Sequence, residues 1–376
     1  MTRERTSSIP TPTRAGRRRR AGPARRGPAH PLRAVALGAA AAALAGGTAL
    51  AGRRARSGHE PGLVGRTALI TGGSRGLGLQ LAREFGARGA SVVVCARDVE
   101  EVDRAVEDLR GRGVTAHGER CDLTDPEQAR ALVGRAVEHL GRLDFVVNNA
   151  GIIQVGPYEV FSERHFREAM DTMFWAPLRV SLAALEPLRH SGGRLVTITS
   201  IGGHLSVPHL LPYSCAKFAE VALSEGLAAE VARTGVGVTT VVPGLMRTGS
   251  HRAAVFVGRP EREYAWFSLG AGLPLVSVGA ERAAARIVEA AARGRGHVVL
   301  TPLARLVVLA RGISPAFVQG VTRLMAAVLP AAPAHPEERK GAQADHGALN
   351  TLIKAPTVLN ERARRRLHQD RPASRR

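Results

Sequence analysis

The chain has 376 residues, 44% of them hydrophobic, enough for one large α/β domain with appendages or for two small domains. Its net charge of +21 lies in the ends: residues 1–60 hold 13 Arg against 2 acids, residues 335–376 hold 10 basic residues against 5 acids, and the stretch between carries only +5. With 4% aromatics and no interleaving of aromatic and basic residues on the central part, nucleic acid is not expected as a partner.

Residues 1–33 are Pro, Arg, Gly, Ser and Thr with almost no large apolar side chain, and are expected to be disordered. Residues 34–51 carry no charge and, at about 1.5 Å per residue, would reach roughly 27 Å, just short of a bilayer core. Ten Ala and three Gly against three Leu and one Val make the segment only weakly apolar. It reads as a secretory signal ending at residues 49–51, as a membrane anchor, or as an Ala-rich helix lying on a membrane or a protein. A spanning helix with ten Arg before it would, by the positive-inside rule, place the following domain outside. A helix lying at the cytoplasmic face, with Arg on both flanks against anionic lipid, avoids that and is the expectation.

From residue 64 the sequence runs VGRTALITGGSRGLG. Residues 67–71 form a short β-prone run, followed at once by Gly72, Gly76 and Gly78 and then by a helical pattern. Strand, glycine turn and helix N-terminus together suit a pyrophosphate: Gly72 for the tight turn, Gly76 for close backbone approach, Gly78 for helix–strand packing. Strands are then expected at 91–96, 114–121, 143–147, 194–199, 236–242 and 297–300. Helices are expected at 98–112, 126–140, 162–190, 213–234 and 281–293, with Asp98 and Asp125 as caps. Apolar strands alternating with helices define a doubly wound parallel sheet of the Rossmann type over residues 61–301. Residues 302–330 form an amphipathic helical extension, with Arg305, Arg311 and Arg323 its only charges, suited either to an anionic membrane surface or to packing on the core or a partner subunit. Residues 331–376 are a polar, basic and mobile tail. Cys95, Cys121 and Cys215 show no metal spacing and read as small buried apolar residues in a reducing compartment, so no metal site is expected.

Tyr213 and Lys217 stand four apart, on one face of a helix. A lysine cation one turn away stabilises a phenolate and makes tyrosine a usable acid–base group. Ser200 ends a strand, at the sheet edge where ligands bind. Taken together, TGGSRGLG (71–78), NNAG (148–151), Ser200 and YSCAK (213–217) resemble the short-chain dehydrogenase/reductase family in its roughly 250-residue form, over residues 63–300.

The resemblance implies an oxidoreductase in which Tyr213 moves a proton, Lys217 tunes it and Ser200 orients the substrate oxygen. It implies cofactor contacts at Gly72, Ser74, Arg75, Gly76, Leu77, Gly78, Arg97, Asp122, Leu123, Asn148, Ala150, Gly151, Tyr213, Lys217, Pro243, Gly244 and Thr248. Arg75 in the turn and Arg97 after the second strand match the basic pair of members that prefer NADP(H), and Asp98 stands one residue too late for an NAD-type acid. Such a cofactor is cytoplasmic, which weighs against the secretory signal. One departure stands out: Met173 occupies the position of the family's relay Asn, and Ala176 that of a usual glycine.

The expected pocket, lined by residues 152–158, 201–212 and those after 248, is apolar: it suits a lipophilic carbonyl or alcohol, or its apolar residues simply pack the loops. His204 and His209 read as loop or rim residues. A homo-oligomer is expected. The alternative reading, from another class, is a catalytically weak cofactor-binding regulator or scaffold on the same fold.

Overall fold

Thr67–Thr71 (β1) is buried along its whole length, as a strand covered on both faces must be. In the computed structural model, which describes residues 62–272, 277–345 and 361–369, it lies at the centre of a parallel sheet. The other strands are Ser91–Ala96 (β2), Ala116–Arg120 (β3), Phe145–Asn148 (β4), Arg194–Ile198 (β6), Gly237–Val242 (β7) and His297–Val299 (β11). Their order is β11-β7-β6-β4-β1-β2-β3, with Ile70 in register with Val94 on one side and Val147 on the other. Order reverses at β1, between β2 and β4, and this opens a crevice at the carboxyl ends of the strands. The expectations for residues 1–33 and 34–51 lie outside the described residues.

Side chains alternate across the sheet. Ala68, Ile70, Val92 and Val94 face one apolar layer, with Gly76–Ala87 (α1), Val99–Gly111 (α2) and Ala280–Ala292 (α8). Leu69, Val93 and Cys95 face the other, with Pro126–Leu140 (α3) and Ala176–Ser191 (α5). Asp98 accepts from the Glu101 amide, and Asp125 from those of Glu127 and Gln128, so both expected caps are present.

The expected single helix over 162–190 is instead Glu163–Met170 (α4), a π turn over Asp171–Trp175, and α5. The cause lies in the sequence: Pro177 has no N–H to offer the carbonyl of Met173, so the α-ladder cannot run through that point. Leu211–Glu230 (α6) follows β6 and carries the Tyr–Lys pair.

Several elements were not foreseen. Gln154–Val155 (β5), Val255–Gly258 (β9) and Glu337–Lys340 (β12) form a small second sheet, while Leu245–Arg247 (β8) pairs with Ser277–Gly279 (β10). Pro260–Gly272 (α7) packs beside them. The extension expected over 302–330 is two helices, Pro302–Ile313 (α9) and Pro315–Ala327 (α10), because Ser314 caps Phe317 and Pro315 starts a new helix. Part of the expected mobile tail is ordered: β12 pairs with β9, Gly341–Ala344 (α11) follows it, and residues 361–369 place Ala363 and Leu367 against Ala280.

Candidate active site

The glycine turn is built by close approach. Gly72 has φ +61°, and a Cβ there would stand 2.9 Å from the Cα of Ala150. At Gly78 a Cβ would fall onto the carbonyl oxygen of Gly72. Asn149 donates its side-chain amide to the Thr71 and Gly72 carbonyls, and Thr71 Oγ1 accepts from the Asn149 and Ala150 amides. NNAG is thereby fastened to the turn. Helix α1 begins with no side-chain cap at Arg75 and no acid in its first turn, which suits its amide end to an anion. Gly76 has φ +58°, and its N–H donates to the carbonyl of Leu367 at 2.9 Å.

At the β2 end, Ser74 Oγ donates to Glu101 Oε2 (3.1 Å) and Arg75 to Glu101 Oε1 (3.3 Å). Arg97 is exposed and makes no hydrogen bond or ion pair among the described residues. Asp122 closes a local turn by accepting from Thr124, and Leu123 is buried beside it. Asn148 donates to Ser181 Oγ at 2.9 Å, while its buried Oδ1 has no partner among the described residues. Pro243 accepts from the Ile201 amide, Gly244 abuts Thr301, and Thr248 is buried. Positive-φ glycines, an uncapped helix start and an unpartnered buried amide oxygen all fit a dinucleotide.

Ser200, Tyr213 and Lys217 converge. Ser200 Oγ accepts from the Gly202 amide at 3.0 Å, and a Cβ on Gly202 would stand 2.9 Å from the Tyr213 ring and 3.4 Å from Ser200 Oγ. The Tyr213 ring therefore lies against the Ser200 turn. Lys217 Nζ is 5.9 Å from the centre of that ring; it donates to the Ile198 carbonyl (2.9 Å) and to Glu220 Oε2 (2.6 Å).

Glu220 was not anticipated, although its i,i+3 spacing from Lys217 is visible in the sequence. Burial pushes its carboxyl up to about 7 against the pull of Lys217. Burial works against the Lys217 cation too, yet the Glu220 charge, helped by Tyr213, raises it above the ordinary lysine value. Met173 is fully buried in the π turn, packed with Ala169, Ala216 and Tyr213, and its Sδ would lie 3.6 Å from a Cβ on Gly151.

On the pocket side, Ile153, Val207, Leu210, Phe256, Trp266 and Phe267 form one apolar cluster that includes Tyr213. His209 has φ +63°, and its Nδ1 lies 2.8 Å from Glu263 Oε2, which also accepts from Trp266 Nε1. His209 therefore ties the loop between Ser200 and Tyr213 to α7. No cluster able to hold a metal ion occurs among the described residues.

A parallel sheet with a switch-point crevice, a glycine turn at a helix start and a Ser–Tyr–Lys convergence define a dinucleotide-dependent class of α/β enzyme. The family described as short chain dehydrogenase matches residues 66–255. The ketoacyl reductase 1 assigned to the granaticin polyketide synthase of Streptomyces violaceoruber is 37% identical over 192 residues, 50% of this chain and 71% of that one. A crystal structure of a short-chain dehydrogenase from Streptomyces avermitilis is 30% identical, with TM-score 0.60, covering 69% of this chain and 98% of that one. A variant of the actinorhodin polyketide ketoreductase, crystallised with NADPH, is 30% identical with TM-score 0.56, covering 62% and 94%. The chain belongs to the short-chain dehydrogenase/reductase family, whose members are oxidoreductases of carbonyl and alcohol groups.

Proposed function

We propose that the protein is an NADP(H)-dependent oxidoreductase interconverting a lipophilic ketone or aldehyde and its alcohol. The observation that carries this reading is the convergence of Ser200, Tyr213 and Lys217 beside an uncapped glycine-turn helix at the switch point. Bound NADPH supplies the hydride. The Ser200 hydroxyl donates to the substrate oxygen, Tyr213 gives that oxygen its proton in reduction and takes it back in oxidation, and the Lys217 cation favours the phenolate. Arg97, exposed and unpaired at the end of β2, supports a 2′-phosphate, as does the NADPH bound by the similar actinorhodin ketoreductase. The apolar cluster around Tyr213 supports a lipophilic substrate.

A titration with NADPH and NADH, for wild type and Arg97→Ala, tests the cofactor. Preference for NADPH, lost in the variant, is expected; binding of neither nucleotide sinks the reading. Turnover of a carbonyl panel by wild type and Tyr213→Phe tests the chemistry, with a loss of about 100-fold or more expected, on the order of a general-acid contribution. Equal background rates would instead favour the cofactor-binding regulator.

The helices α9 and α10 add a membrane reading on the cytoplasmic face. They expose Leu306, Leu309, Ile313, Phe317 and Leu324, with Val328 just past the end of α10, and no acid occurs between Arg293 and Glu337. Among the described residues no helix is long and apolar enough to cross a membrane, so the contact proposed is interfacial.

A further inference from the structure

The diphosphate cradle of this protein already has an occupant. Residues 361–369, sequence ERARRRLHQ, return from the end of the chain to the glycine turn. Leu367 is 1% exposed and packs with Ala363 against Ala280, at the start of α8. Arg366 pairs with Glu281 at 3.1 Å, and its carbonyl accepts from Arg83. Those contacts hold the segment from the outside.

Its inner side faces the crevice. The Leu367 carbonyl takes the Gly76 N–H, a donor at the start of α1 that the cofactor reading gives to phosphate. A carbonyl oxygen there presents the negative end of its dipole to the helix N-terminus, in the manner of a phosphate oxygen.

Gln369 completes the closure. It is 8% exposed, and its Oε1 is buried without a partner among the described residues. A Cβ on Gly76 would stand 2.6 Å from Gln369 Nε2, and one on Gly249 would stand 3.1 Å from Gln369 Cγ and 2.8 Å from the Cα of Arg364. Gly76 belongs to the glycine turn, and Gly249 follows Thr248 in the PGLMRTG loop. One side chain thus spans the gap between the two loops assigned to the cofactor.

We propose that residues 361–369 are an internal competitor for the cradle, seated in the free protein and displaced when the dinucleotide binds. The inference rests on the cofactor reading of the glycine turn. A segment seated about nine-tenths of the time would weaken the apparent affinity for NADPH about tenfold.

The test uses the full chain. Leu367→Asn removes the apolar anchor without changing charge, so the four arginines of the segment still attract the anionic dinucleotide equally. NADPH titration should give a Kd about tenfold lower for the variant than for wild type. In wild type, NADPH should speed tryptic cleavage after Arg364, Arg365 and Arg366, followed by mass spectrometry. An unchanged or weaker Kd in the variant, with those bonds protected by NADPH, overturns the proposal: the segment would then be a wall of the bound site. A second variant, Ala363→Asn, repeats the test should Leu367→Asn fail to fold. If NADPH binds neither wild type nor a folded variant, the cofactor reading falls and the competitor with it.

Discussion

In the proposed mechanism Lys217 favours a phenolate, while its ammonium is held by a buried carboxylate. The Glu220 charge offsets part of the field that Lys217 casts on the Tyr213 ring 5.9 Å away. Glu220→Gln keeps a hydrogen-bond acceptor for Lys217 and removes the charge. The pH–rate profile for alcohol oxidation should then move to lower pH; an unmoved profile with a lower kcat would reduce Glu220 to packing. Met173, where the resemblance implies a relay amide, is a thioether fully buried against Tyr213. Met173→Asn should raise kcat with KM unchanged, at a stability cost of about 1–3 kcal/mol for the buried amide. A kcat at or below the wild-type value would show that the proton path does not use this side chain.

Elements meet at two places where a substitution gives a clean answer. The closest is α1 on β1, where Gly78 admits the Gly72 carbonyl and leaves no room for a methyl group. Gly78→Ala should cost about 3 kcal/mol, read from the urea midpoint, since neither backbone can move away. The second is the turn Ser250–Arg252. Burial, with the nearby charges of Arg252 and Arg364, lowers His251 to about 4; its ring rests on Tyr264, with Glu361 4.0 Å away. A depressed histidine binds its proton in the unfolded chain first. Its contribution to stability is therefore complete above about pH 6.5 and is lost as pH falls toward 4, amounting to roughly 3 kcal/mol. His251→Gln should flatten that part of the stability–pH curve, and an identical curve would show that the site does not titrate.

The two places also mark what the sequence discloses. The central strands were legible because strands buried on both faces read as unbroken apolar runs, and Gly78 because its spacing is tied to the turn. The turn around His251 was not, nor were β5, β8, β9 and β10, whose two to four residues are too few to show a period. Glu101 was missed because its partners Ser74 and Arg75 lie 26–27 residues away and meet it only once the turn is built, and Glu220 because an i,i+3 pair with Lys217 reads as an ordinary helix-surface pair until the burial of both is known. The segment at 361–369 carried a faint signal, Ala363 and Leu367 at i,i+4 among arginines.

At the scale of the whole molecule, charge and apolar surface are distributed together. The central domain is nearly balanced, the ends are basic, and the α9–α10 pair joins Arg305, Arg311 and Arg323 to a broad apolar face. Arg311 lies 5.4 Å over the ring of Phe218, the residue after Lys217, so α9 stands next to α6. Each arginine near an anionic bilayer adds about 1 kcal/mol, and each buried CH₂ about 0.8 kcal/mol. The basic ends alone would give binding that salt removes, whereas an inserted apolar face gives binding that persists. The triple variant Leu306→Ser, Phe317→Ser, Leu324→Ser keeps every arginine and separates the two. Wild type should co-sediment with vesicles containing anionic lipid at about 0.5 M salt, where charge attraction is screened, and the triple variant should not. Release of both proteins at that salt after binding at low salt would assign membrane contact to the basic ends, and a fall in oligomeric size of the triple variant without vesicles would assign the face to a second copy of the chain.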